Sequence, residues 1–167
     1  MKKAVILVAD EYQDLEVWYP LLRLREAGWT VMTAGVEAKN QYRGKHGYPI
    51  TVDTVVDEIR ADAFDCVIIP GGWAPDIIRR HNVAVELVSQ MFRQNKLVAA
   101  ICHAGWVLVS ANILRGKQCT SFSAIKDDLV NAGAIWSDKE VVIDGNLITS
   151  RKPDDLPAFC KAILSPR

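Results

Sequence analysis

An α/β fold built on a parallel sheet covered on both faces is what this chain predicts, and three observations carry the prediction. Short apolar runs, such as residues 4–9 and 97–101, alternate with longer amphipathic segments. Those runs are apolar at every position rather than every second one, the pattern of strands buried on both sides. With 167 residues, 50% of them apolar, the chain can fill one core and is short for two, so residues 1–167 are expected to form a single domain.

Taken in order, residues 4–9 give the first strand. Lys2 and Lys3 precede it as in a leader peptide, but the run is brief and ends at Asp10-Glu11, so a buried strand fits better. Asp14 is the candidate cap of a helix through Glu26 that stops at Ala27-Gly28, with Pro20 either kinking it or marking a start nearby. Residues 30–34 form the second strand. Turn residues crowd 42–49, and 50–56 alternates enough for an edge strand, so this stretch reads as an excursion from the main sheet. Residues 66–70 and 97–101 are further buried strands flanked by amphipathic helices, and a helical pattern over 106–111 follows the second at once. Asp144-Gly145-Asn146 marks a hairpin between 140–143 and 147–149, because Asp-Gly tolerates the positive φ of a tight turn. Pro153-Asp154-Asp155 opens the last helix.

In open α/β sheets the ligand crevice lies outside the carboxyl ends of the strands. Cys102 stands there, on a strand-to-helix corner where free N–H groups and the positive end of a helix dipole favour thiolate. Cys66 inside a strand, Cys160 in the last helix and Cys119, with no base or helix start beside it, read as structural cysteines. Gly71-Gly72 follows the strand over 66–70. It is either an ordinary turn or, with the N–H of His103, an oxyanion hole that a missing side chain lets an oxygen approach. Glu16 is either a solvated first-turn acid or a carboxyl turned into the crevice, kept protonated by desolvation and donating a hydrogen bond to the thiolate. Glu11 and Asp14 read as the solvated kind.

The chain has three histidines, His46, His81 and His103, so no later base follows the cysteine. Neighbours at a helix start point about 100° apart, which leaves Cys102 and His103 poorly placed for a direct ion pair. His103 is expected to orient through another acid or to shuttle a proton. Twenty basic and twenty acidic residues balance without a block of like charge, which argues against a nucleic-acid surface and for a small-molecule or protein substrate. No run approaches the roughly 20 apolar residues of a membrane span. Four cysteines without close pairing suit a reducing cytoplasm. No metal-ligand spacing and no nucleotide-binding glycine motif appears, so neither a metal nor another cofactor is expected.

Several motifs occur together: Asp10-Glu11-Tyr12-Gln13-Asp14-Leu15-Glu16, Gly44-Lys45-His46-Gly47, Pro70-Gly71-Gly72-Trp73-Ala74-Pro75-Asp76, Ala100-Ile101-Cys102-His103, Asn131-Ala132-Gly133-Ala134 and Thr149-Ser150-Arg151-Lys152-Pro153-Asp154-Asp155-Leu156. Over nearly its whole length the chain thereby resembles the PfpI intracellular protease and deglycase family, within the class I glutamine amidotransferase-like superfamily. The resemblance implies a flavodoxin-like three-layer sandwich with a mainly parallel sheet and Cys102 as a nucleophile-elbow cysteine. It further implies Glu16 as the protonated partner of Cys102, and a homo-oligomer, dimer or hexamer, in which the acid after Ala-Pro, by position Asp76, reaches the partner subunit's His103. Members often have Gly-Pro after Cys-His, where this chain has Ala104-Gly105-Trp106, a change that would narrow the site mouth. Phe122 and Gln13 replace a tyrosine and a glutamate of some members and remove polar groups near the site. Asp76 is shorter than the glutamate found in others. The His-x-Glu pair of a true glutamine amidotransferase is missing.

These expectations converge on a cofactor-free thiol enzyme of glutathione-independent glyoxalase and deglycase type, acting on small reactive carbonyls such as methylglyoxal and on glycated protein. Cys102 would add to the aldehyde, Gly71, Gly72 and His103 N–H groups would hold the oxyanion, and Glu16 and His103 would move protons. One rival is an intracellular cysteine peptidase using Cys102, His103 and Asp76 across an interface. Another is an oxidative-stress sensor or chaperone in which Glu16 holds a Cys102 sulfinate.

Overall fold

The computed structural model describes residues 1–165. In chain order the elements are β1 (Lys3–Val8), α1 (Asp14–Glu26), β2 (Thr30–Gly35), β3 (Gln41–Arg43), β4 (Pro49–Thr51), β5 (Thr54–Val55), β6 (Cys66–Ile69), α2 (Ala74–Ile78), α3 (Asn82–Arg93), β7 (Leu97–Ile101), α4 (Gly105–Ser110), β8 (Gln118–Cys119), α5 (Lys126–Asn131), β9 (Ile135–Trp136), β10 (Val141–Asp144), β11 (Leu147–Ser150) and α6 (Leu156–Leu164).

The main sheet runs β10-β11-β7-β6-β1-β2-β5. All neighbours are parallel except the β10–β11 hairpin. Every residue from Ala4 to Val8 is fully buried, as the uninterrupted apolar run requires. Helices α1 and α6 pack together on one face, while α2, α3, α4 and α5 cover the other. Counting the central strands β1, β2, β6, β7 and β11 as one to five, the spatial order is 2-1-3-4-5, the flavodoxin-like arrangement whose ligand crevice opens where the order reverses, between β1 and β6. The segments leaving β1, β6 and β7 carry Glu16, Gly71-Gly72 and Cys102. Topology therefore gathers them at one end of the sheet.

Local differences from the sequence reading have plain causes. Gln13, not Asp14, caps α1, its side-chain oxygen accepting from the Leu15 N–H at 2.7 Å. Asp14 instead accepts the backbone N–H groups of His46 and Tyr48 at 3.0 and 3.1 Å, pinning the β3–β4 loop over the sheet end. Pro20 lies inside α1; it can give no N–H to the Glu16 carbonyl one turn back. The expected edge strand over 50–56 divides in two. β4 pairs with β3 away from the main sheet, and β5 lies against β2. Asp53 makes the break: its carboxylate accepts from the Thr33 N–H and hydroxyl at 2.8 and 2.9 Å.

Candidate active site

Cys102 leaves β7 in the left-handed region, with φ of 63°. A non-glycine residue there stores strain of roughly 1–3 kcal/mol, and the surroundings hold it: the Cys102 carbonyl accepts the Phe122 N–H at 3.1 Å. A single tight turn, Cys102–Ala104, then leads into α4. The same twist overturns one expectation. Since Cys102 is not helical, its side chain and that of His103 converge, and Sγ lies 3.2 Å from His103 Nδ1.

Glu16 is fully buried, because it falls on the same inward face of α1 as Val17, Pro20, Leu21 and Leu24. It is not the solvated acid of the bland alternative. Its Oε2 accepts the Gly71 N–H at 2.7 Å, while Oε1 has no partner of ordinary hydrogen-bond geometry. Burial raises the carboxyl from 4.5 to about 7, against the pull of the Gly71 N–H, the Lys45 charge and the Cys102 side chain. A side chain at Gly71 would fill the space the pair occupies: a Cβ there would lie 2.5 Å from Glu16 Oε2, 2.6 Å from Cys102 Cβ and 3.0 Å from Sγ. Gly71 thus serves Glu16, and its N–H is not the free oxyanion donor expected from sequence. Gly72 differs. Its φ is +74°, and a Cβ would collide with the Glu11 carbonyl and sit 2.5 Å from the Gln13 nitrogen.

The N–H groups of Gly72 and His103 both face the sulfur and favour its thiolate, as does the Lys45 charge, yet burial first and the Glu16 charge second push the thiol up to about 12. This corrects the lowered thiol pKa expected from a helix end: the helix involved is one tight turn followed by six residues, and desolvation outweighs its dipole. The Glu16 charge raises the thiol, while a hydrogen bond from the Cys102 side chain lowers the carboxyl, so the two hold a single proton between about 7 and about 12 and titrate as a pair. A thiolate in that range requires the proton to sit on Glu16.

His103 is half-buried and wedged among aromatic rings: Phe122 stacks at 4.8 Å, Trp106 lies at 5.2 Å and Trp73 at 5.7 Å between centroids. Burial and then the Lys45 charge lower its pKa, which leaves the imidazole neutral at neutral pH. A pocket of about 150 Å³ opens onto Cys102 and His103, walled by Gly72, Trp73, Phe122, Lys45 and Lys152. Trp106 is not part of that wall, contrary to expectation; its Nε1 donates to Asp128 at 2.7 Å, which holds the indole behind His103. Within the protomer Asp76 is exposed and pairs with Arg80 at 3.3 Å. His46 belongs to the exposed loop and His81 lies 3.8 Å from Asp57, elsewhere on the molecule.

Lys45 and Lys152 are the wall residues to which sequence reasoning gave no role. Both stand inside motifs quoted above, but nothing in their spacing brings the β3–β4 loop and the segment after β11 to one pocket. Cys66, Cys119 and Cys160 are buried away from it. Among the described residues no cluster of potential metal ligands occurs, and no helix is long and apolar enough to cross a membrane.

The sequence pattern of the DJ-1/PfpI family matches residues 2–166. Deglycase PfpI of Pyrococcus furiosus is 45% identical over 159 residues, 95% of each chain. Protein/nucleic acid deglycase 2 of Escherichia coli is 40% identical over 165 residues, 98% of this chain and 96% of its own. Among solved structures, a two-domain protein of Anabaena variabilis with DJ-1/ThiJ/PfpI-like and ferritin-like domains superposes with a TM-score of 0.96 at 45% identity. The match covers 98% of this chain and 47% of that one, so this chain spans about half the length of the Anabaena protein.

Proposed function

The chain belongs to the DJ-1/PfpI family, and from that premise we propose that it is a cofactor-free thiol enzyme acting on reactive carbonyls, a deglycase and glutathione-independent glyoxalase. One observation carries the reading: a buried carboxyl, Glu16, shares a proton with the thiol at the end of β7. Cys102 Sγ adds to the aldehyde carbon of methylglyoxal; from the amine adduct the C–N bond first breaks, the amine taking the hydroxyl proton as it leaves, and the carbonyl so regenerated reacts in the same way. The C–S bond forms, the carbonyl π pair moves to oxygen, and the oxyanion develops beside the Gly72 and His103 N–H groups. Glu16 or His103 supplies its proton. Neutral His103 then takes the proton from the carbon bearing sulfur and returns it to the adjacent carbon, giving a thioester. Water cleaves this to a 2-hydroxycarboxylate and the free thiol.

The reading includes a cytoplasmic setting and a homo-oligomer. Trp73, 58% exposed beside Asp76, is the kind of apolar surface a partner subunit covers. The test is methylglyoxal consumption with stoichiometric lactate formation, and release of amine from a glycated peptide. Wild type should do both and Cys102→Ala neither; lactate formation by Cys102→Ala would refute the thiol mechanism. A second reading, cysteine peptidase, is favoured by the 3.2 Å contact of Cys102 with His103. It predicts an acyl-enzyme with ester substrates, which the carbonyl reading does not.

A further inference from the structure

We propose that Lys45, with Lys152 from a second segment, forms a carboxylate-binding subsite beside Cys102, so that the pocket favours small dicarbonyl compounds carrying an anion beyond the two reacting carbons and holds the carboxylate of its product. The proposal rests on the thiol reading above and names the substrate class that reading leaves open.

Four observations point to it. Both lysines wall the same pocket of about 150 Å³ into which the thiol opens, smaller than the roughly 300–1,000 Å³ of pockets for drug-sized ligands. The Lys45 charge acts on Glu16, Cys102 and His103 alike, which places its ammonium within electrostatic reach of the reacting sulfur. Among the described residues no carboxylate lies within salt-bridge distance of Lys45, whereas Lys152 is shared with the exposed Asp154 at 3.3 Å. Lys45 is therefore the dominant charge. Finally, its backbone is fixed: the Lys45 N–H donates to the Tyr12 carbonyl at 2.9 Å, and the Asp14 carboxylate holds the N–H groups of His46 and Tyr48 beside it. Among the described residues the acid at the thiol is Glu16, which accepts the Gly71 N–H and is not part of the pocket wall. A carboxylate entering the pocket thus meets cationic charge and no exposed anion on that wall. A carboxylate rather than a bulkier anion fits the volume and is what the proposed reaction produces.

Iodoacetate and iodoacetamide test this directly, since they alkylate a thiolate by the same displacement, with C–S forming and iodide leaving, and differ only in the anion. The ratio of their rates at Cys102, read by peptide mass spectrometry, is compared with the ratio at a model thiol. Any change in thiol pKa affects both reagents and cancels. The expected ratio is about fivefold above the model thiol, the upper end of what one exposed charge pair gives. It should fall toward the model value in Lys45→Met, fall less in Lys152→Met, and survive in Lys45→Arg. In addition, lactate should protect Cys102 from iodoacetamide. A wild-type ratio at or below that of the model thiol, or one unmoved by Lys45→Met, would overturn the subsite while leaving a reactive Cys102 intact. Protection by inorganic phosphate but not by lactate would overturn the carboxylate assignment. A Cys102 inert to both reagents would overturn the thiol reading and the subsite with it.

Discussion

Replacing Glu16 by Gln should flatten the pH dependence of stability between pH 4.5 and 8. In the folded chain burial raises this carboxyl from 4.5 to about 7, so the native state holds the proton more tightly than the unfolded state does. Ionising it costs the fold nothing below the unfolded pKa and its full penalty above the folded one. Stability therefore falls as pH rises through that window. At 1.36 kcal/mol for each pH unit of difference, the loss is about 3 kcal/mol. Glu16 is fully buried, so solvent screening does not dilute it. The assay is urea denaturation at fixed pH values across the window, for wild type and Glu16→Gln in parallel; other titrating groups contribute equally to both and drop out of the difference. Wild type should lose about 3 kcal/mol more than the variant between the ends of the range. Parallel curves would refute the argument, since they would mean that the carboxyl ionises in the fold as it does in the unfolded chain. Thiolate absorbance then locates the remaining proton: if it sits on Glu16 above pH 7, wild type absorbs as a thiolate there.

Gly71→Ala places a methyl 2.5 Å from Glu16 Oε2 and 2.6 Å from Cys102 Cβ, and should cost about 1–3 kcal/mol of stability through overpacking. Carbonyl turnover in that variant should drop more steeply, by about a hundredfold, because the carboxyl and sulfur are forced apart; normal turnover would show that their contact is dispensable. Sedimentation at micromolar concentration should show at least a dimer, and Trp73→Glu should dissociate it; a monomeric wild type with full turnover would remove the interface and any role for Asp76 in orienting His103.

Much of the fold was legible because buried parallel strands announce themselves as unbroken apolar runs: residues 4–9 and 97–101 became β1 and β7 within a residue at each end. Legibility failed where tertiary contacts decide. Asp53 splits a plausible edge strand only because Thr33 stands opposite it, and Asp14 abandons its helix cap for a loop thirty residues on. Glu16 was ambiguous for a different reason. A first-turn acid looks the same in sequence whether its helix turns it outward or inward, and only the alignment with Val17, Pro20 and Leu21 under the sheet end decides. Lys45 and Lys152 gave no signal that they share a pocket, since they belong to segments about a hundred residues apart that meet only at the strand ends.

The neighbouring pair Cys102-His103 shows how a local assumption misleads and what replaces it. Spacing on a helix separates adjacent side chains, but a positive φ at Cys102 turns the thiol back toward its neighbour's imidazole. With three aromatic rings around it and its pKa lowered, that imidazole cannot serve as a standing cation to stabilise thiolate. A thiolate there would have to be balanced otherwise, by the two backbone N–H groups and Lys45, with Glu16 protonated. A neutral His103 is then free to accept a proton from substrate carbon, the step a carbonyl isomerisation needs and a thiolate–imidazolium pair would have used up in advance. The arrangement favours the carbonyl reading over the peptidase for that reason.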